Sequence, residues 1–565
     1  MYRIYFILLL FVIISCKQSS SNPSSVEPEV SVDTEEIESI SSDSLGSADM
    51  DDLEAISTKD FREFRVLDSE HLTKTKIWEG ISPQMKDFTQ NDHDRLKSMI
   101  LEKDIPAIQA SIAKGDFSYE ELTKFYLFRI RAFDRENALS LNSVISINPN
   151  VIQQAREADE VANSEAQHPI FGMPILLKDN IDALGMATTA GAVALTNNET
   201  EDAYLVNKLK SKGALILGKA NLSEWAYFFC GDCPSGYSAV GGQTLNPYGR
   251  RIFDTGGSSS GSAVSVAANF CAAAIGSETS GSILSPSSQN SAVGLKPTVG
   301  LISRSGIVPI SSTLDTAGPI TKNVMDNAIV LDAVFGEDET DGKSFMIMWD
   351  SGFYLSELTE GSLNGKRFGA PKRLMEDSLF VDAVNDLKVL GAEIVEIDEV
   401  ELSLPNFINL LNLDMKRDLP KYMDAYASDS LRVRTIADIV AFNAADSIST
   451  MPYGQRLFRG IVADKGTDEE LQTIRDSLKA NGKRYFEVPM RSQELNGFLS
   501  INNYHAGYAA VAEYPAITVP MGYSKEGEPK GLTLISSRLR EKQLLQWAYL
   551  YEQATKHRKI PKDFN

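Results

Sequence analysis

DAYLVNKLKSKGALIL, residues 202–217, decides the fold class. Leu205, Val206 and Leu209 recur at helical spacing, and Asp202 stands where a capping residue would begin that helix. Gly213 can take the left-handed conformation that stops it. Ala214-Leu215-Ile216-Leu217 then reads as a short strand buried on both faces. Helix, turn and buried strand form the repeating unit of layered α/β folds.

The same pattern extends in both directions. Ser118-Tyr119-Glu120-Glu121 is a capping box, and Leu122, Phe125, Tyr126 and Ile130 follow on one helical face. Gly172-Met173-Pro174 ends a loop before a buried strand, Ile175-Leu176-Leu177. The small apolar run SAVSVAANFCAAAI, residues 262–275, predicts a buried helix held close to a sheet. Residues 515–520 predict a strand and residues 541–556 a closing helix. Residues 340–490 are more polar and helical in pieces, in the manner of a cap or subdomain. No period of 20–50 residues recurs, which excludes a solenoid.

The 565 residues are 43% hydrophobic and 23% charged, so a wholly disordered or collagen-like chain is excluded. The net charge of −22 argues against nucleic acid as a partner, because phosphate binding needs a basic face. Much of that charge lies in residues 17–60, which hold 12 acidic residues, 2 basic residues and 12 serines. Such a stretch buries too little apolar surface to offset its chain entropy, and reads as a disordered spacer or an acidic interaction tail.

Ahead of it, residues 4–14 (IYFILLLFVII) are too few to span a bilayer as a helix but suit a signal-peptide core. Ile13-Ile14-Ser15-Cys16 resembles a bacterial lipobox, with a plain secretory signal or short anchor as the alternative. Residues 1–15 are thus expected to be a signal peptide, with Cys16 lipid-modified and the protein held to the bacterial cell envelope. Residues 16–88 then form linker and lead-in, and residues 89–565 the globular body.

His71, His93, His168, His505 and His557 form no HExxH or other close metal pair. No phosphate-binding loop is present, and no GxSxG elbow has a well-placed histidine. Cys230 and Cys233 form a lone CxxC without a second pair to complete a zinc site. A local disulfide and two free thiols both remain open there, and Cys271 lies in the small apolar run. What stands out are two Gly/Ser loops, GGSSSGS at 256–262 and GSETSGS at 276–282. Serine is a weak nucleophile until a base activates it. Lys178 directly follows a buried strand, and burial is what lowers an amine enough to act as a base.

FGMPILLKDNID (171–182), DTGGSSSGSA (254–263), GSETSGSILSP (276–286) and VGLKPTVGLISRSGIVP (293–309) together resemble the amidase signature family. TLDTAGPITKNVMDNA (313–328) and EYPAITVPMGY (513–523) extend the likeness, which covers roughly residues 89–565 and looks closest to bacterial peptide amidases. The resemblance implies one large α/β domain with a central twisted mixed β-sheet covered by helices. It implies a Ser–cis-Ser–Lys triad of Ser282 as nucleophile, Ser258 as bridge and Lys178 as base. An oxyanion hole is implied from the N–H groups of Thr279, Ser280, Gly281 and Ser282. The implied activity is amide hydrolysis through an acyl-enzyme, on a small-molecule or peptide amide such as a peptide C-terminal amide. No metal or other cofactor is implied. Many members read GGSIR at the nucleophile, whereas here Ser280 replaces a glycine and Leu284 the arginine.

Overall fold

The computed structural model describes residues 59–135, 138–162 and 167–565. The apolar run at 4–14, Cys16 and nearly all of the acidic stretch lie outside the described residues.

Eleven strands form one mixed sheet, flanked by helices. In chain order they are β1 (Val144–Ile147), β2 (Pro174–Lys178) and β3 (Leu215–Ala220), then, after a two-strand ribbon of β4 (Tyr237–Ser238) and β5 (Gly242–Gln243), β6 (Ala273–Glu278), β7 (Val293–Lys296) and β8 (Thr316–Thr321). There follow β9 (Arg367–Pro371), β10 (Glu393–Ile397), β11 (Gly497–Ile501), β12 (Ala516–Tyr523) and β13 (Pro529–Ile535). The spatial order is β1-β3-β2-β6-β8-β7-β12-β13-β11-β9-β10. β3, β2 and β6 run parallel, as do β11, β9 and β10; the pairings between and beside these groups are antiparallel. Every residue of β2, β3 and β6 is buried, which is why those segments read as unbroken apolar or small-residue runs.

The capping box at Ser118 forms as expected, with reciprocal bonds to Glu121 at the start of the helix Tyr119–Ile130. Two local expectations need correction. The helix Tyr204–Ser211 has Ala203 at its N-cap, without a side-chain bond. Asp202 instead accepts the Leu184 N–H (2.9 Å) and the Lys210 amine (2.7 Å). The run 262–275 is not one helix. It is the end of a helix, Ser260–Ala267, then a turn through Asn269 (φ 56°), then the start of β6. Small residues still serve close packing here: a Cβ on Gly261, just before the run, would lie 2.4 Å from the carbonyl oxygens of both Ser143 and Asn221.

Residues 340–490 divide between two roles. β9 and β10 complete one edge of the main sheet. The helices Phe407–Ala425, Ile436–Ala445, Arg456–Ala463 and Asp468–Ser492 build a second apolar cluster. In that cluster Leu410, Phe458 and Leu478 meet Trp225, Phe228 and Ile310 from loops of the sheet layer. Those loops lead to the site.

Candidate active site

β2 delivers Lys178 at its last position, fully buried. The neighbouring parallel strand β6 ends in Ser277 and Glu278. The chain then turns through 279–283 into a short helix, Leu284–Gln289. The loop before the helix Ser260–Ala267 brings Ser258 to the same point. Lys178 Nζ lies 2.7 Å from Ser258 Oγ, 2.9 Å from Ser277 Oγ and 3.1 Å from the Ser277 carbonyl oxygen. The Gly257–Ser258 peptide bond is cis. The two Gly/Ser loops are tied together by the Ser259 N–H, which donates to the Ser282 carbonyl (3.1 Å).

Burial draws the Lys178 amine down to about 7, against the opposing charges of Asp315 and Glu278. Asp315 is itself pushed up to about 6 by burial, while the Thr279 hydroxyl and the Ser311 and Ile310 N–H groups pull it back. At neutral pH a substantial share of Lys178 is therefore an uncharged amine beside a hydroxyl, which can accept a proton.

Ser282 lines a cavity of about 290 Å³ together with Ser280, Gly257, Tyr227, Phe228 and Tyr504. Among the described residues its hydroxyl has no hydrogen-bond partner, which leaves it open to a ligand. A larger cavity of about 680 Å³ shares Ala226, Thr279 and Ile310 with the first but does not reach Ser282. The four N–H groups expected to stabilise an oxyanion divide. That of Gly281 already donates to Glu278 Oε1 at 2.8 Å and is not available. Those of Thr279, Ser280 and Ser282 donate to no group among the described residues.

Several residues of this constellation escaped the sequence reading. Ser277 meets Lys178 and Asn180 Nδ2 (3.0 Å) at once. Glu278 accepts the N–H groups of Gly281, Ile283 and Leu284 (2.8, 2.8 and 3.0 Å) and so shapes the turn that presents Ser282. The lone acid inside a Gly/Ser loop was the available signal. Asp315 holds the neighbouring loop by accepting from Thr279 Oγ1 at 2.5 Å and from the Ile310 and Ser311 N–H groups. None of the five histidines lines the cavity that contains Ser282. Cys230 and Cys233 are joined as a disulfide, and Cys271 is a buried free thiol.

This arrangement defines an α/β enzyme with a buried amine and paired serine loops, and comparison with known proteins agrees. The model of the amidase family matches residues 121–461, and the chain belongs to that family; it is an amide C–N hydrolase. It is 35% identical to a probable amidase of Arabidopsis thaliana over 82% of this chain and 92% of that one. An amidase family protein from Bacillus anthracis superposes with a TM-score of 0.84 at 34% identity, covering 88% of this chain and 100% of that one. The peptide amidase from Stenotrophomonas maltophilia does so with a TM-score of 0.76 at 38% identity, covering 82% and 98%.

The expectation of a lipid-anchored protein of the bacterial cell envelope is corrected by these relatives. They extend to plant and fungal amidases and to the A subunit of a glutamyl-tRNA amidotransferase. Among the described residues no helix is long and apolar enough to cross a membrane. That expectation rested on a short N-terminal run outside residues 121–461, and composition there carries no information about the body.

Proposed function

We propose that the enzyme cleaves its amide through Ser282 as nucleophile, with Ser258 as proton relay and Lys178 as base, and that its substrates include peptide C-terminal amides. The observation that carries this reading is the buried Lys178 amine, 2.7 Å from Ser258 Oγ, on a loop whose next residue, Ser259, donates its N–H to the Ser282 carbonyl at 3.1 Å. The neutral amine takes the Ser258 proton as Ser258 takes that of Ser282. Ser282 Oγ forms a bond to the amide carbon, and the carbonyl oxygen becomes an oxyanion. The N–H groups of Thr279, Ser280 and Ser282, which have no partner among the described residues, are the donors available to that charge, each such donor being worth roughly 3–4 kcal/mol in acyl transfer. The C–N bond breaks as the relay returns a proton to the nitrogen, so ammonia or an amine leaves and Ser282 is acylated. Water then gives a proton to the same relay and attacks the ester, releasing the carboxylic acid and restoring Ser282.

The leaning toward peptide amides is supported by the likeness to the peptide amidase and by aromatic walls at Tyr227, Phe228 and Tyr504. A fluorophosphonate probe is expected to label the wild type and not Ser282→Ala. C-terminally amidated peptides are expected to release ammonia with the wild type alone. Equal labelling of both proteins would overturn the assignment of Ser282.

A further inference from the structure

The cavity that holds Ser282 carries an uncompensated acid. Asp254 lines it, and its Oδ1 accepts the Gly256 N–H at 2.9 Å. The nearby Ser235 hydroxyl and Thr255 N–H also favour its charged form. Among the described residues no cation forms an ion pair with it. The other charged residue lining the cavity is Lys59, which is engaged by Asp232 (3.4 Å), and Glu528, of the same sign as Asp254, also acts on it. Burial and that like charge push the Asp254 carboxyl up to about 6, so it is still mostly ionised at neutral pH.

Two more polar side chains crowd the same backbone. A Cβ on Gly256 would lie 2.7 Å from Ser285 Oγ and 2.8 Å from Gln289 Oε1. Ser285 and Gln289 both line the cavity, and Gln289 Oε1 is buried without a partner among the described residues. Leu284 brings no countercharge, because its side chain is buried among Phe498, Ala506 and Ala509. One end of the pocket thus offers a carboxylate with unused acceptor capacity, while Tyr227, Phe228 and Leu411 supply apolar wall. Asp254 is half-buried, so water reaches its carboxylate in the empty pocket; a ligand that displaces that water leaves the charge unpaired unless it supplies a cation.

We propose that Asp254 is the specificity-determining residue of this pocket, selecting amides that carry an ammonium or guanidinium group near the scissile carboxamide and rejecting those that carry a carboxylate. The proposal rests on Ser282 being the reacting centre, but its test does not need turnover. Equilibrium binding to Ser282→Ala is measured with three probes of similar size: N-acetyl-lysinamide, N-acetyl-norleucinamide and N-acetyl-isoglutamine. The lysine amide is expected to bind at least about tenfold more tightly than the norleucine amide, and the isoglutamine more weakly than both. In Ser282→Ala/Asp254→Asn the preference for lysine should disappear while norleucinamide binding holds. Asparagine keeps an acceptor for the Gly256 N–H, so the loop before Ser258 is preserved. Asp254→Glu should retain the preference. Equal binding of the lysine and norleucine amides to Ser282→Ala would overturn the proposal with no further variant needed. So would an equal loss for both probes in Asp254→Asn, which would make Asp254 a support of the loop. Fluorophosphonate labelling of the wild type is independent of either result, so failure here is distinct from failure of the catalytic reading.

Discussion

A neutral amine has two N–H bonds and one lone pair, and Lys178 has three partners placed to match. Its N–H groups can point to the Ser277 carbonyl and hydroxyl oxygens, leaving the lone pair to accept from the Ser258 hydroxyl. Protonation would satisfy the same three contacts but remove the base. With the amine held at about 7, kcat/KM on an uncharged amide should rise with pH through an acidic limb of apparent pKa near 7 and flatten above it. A profile that is flat from pH 5.5 to 8 would contradict this. Lys178→Met should lower kcat by at least about a hundredfold, the scale of a lost general base. The same residue links stability to pH. Its amine is depressed from 10.5 to about 7 on folding, so between those values the unfolded chain binds more protons than the native one. Stability from this group therefore rises with pH from about 7 to 10.5, and below 7 the penalty is complete. The urea midpoint of the wild type, relative to that of Lys178→Met, should increase between pH 7 and pH 10. Lys178 was legible in the sequence because it directly follows three buried apolar residues. Ser277, its second partner, was not, because nothing local marks one serine among several as facing a lysine 99 residues away.

At the level of elements, the turn between β6 and the helix Leu284–Gln289 is organised by one side chain. Glu278 is 1% exposed and takes three backbone N–H groups that the turn cannot satisfy itself. Glu278→Ala leaves those donors without an acceptor, at about 1–3 kcal/mol for each that stays dry. The expected result is a loss of several kcal/mol in chemical unfolding, with kcat falling as Ser282 loses its fixed position. Glu278→Gln keeps one acceptor oxygen and should fall between. An alanine variant as stable as the wild type would refute this role. The sequence shows elements well where their own residues decide them, as in the Ser118 capping box and the buried strand at 175–177. It misleads at 262–275, where the alanines favour helix by intrinsic propensity yet half of the run forms a turn and a strand. There the outcome is set from outside, by the pairing of Ala273–Ile275 with β2 and of Ala274–Glu278 with β8. At Asp202 the acid caps no N–H of the helix that follows; it binds the Leu184 N–H of a separate loop and the Lys210 side chain two turns on, and the first is a tertiary contact that no local rule contains.

For the molecule as a whole, strand order is the feature a linear reading does not reach. β7 at 293–296 lies beside β12 at 516–523, and β9 at 367–371 beside β11 at 497–501. These pairings join distant parts of the chain, so they leave apolar runs in the sequence but no mark of which run meets which. One consequence is that the last strands are structurally central. β12, β13 and β11 stand between the half-sheet that carries Lys178 and Glu278 and the β9–β10 edge. Residues 121–461 carry the family match and all three proposed catalytic side chains, yet they stop short of those strands. A chain ended at residue 461 would expose the pairing edge of β7, where Leu295 stands opposite Ile517, and would detach β9 and β10. An unpaired, flat apolar edge favours association over folding. Such a chain should aggregate on expression, show no cooperative urea transition and fail to react with a fluorophosphonate despite retaining Ser282. A soluble, monodisperse 1–461 chain that unfolds in one step would show that the catalytic half-sheet folds alone, and that the C-terminal strands serve the site without being required for the fold.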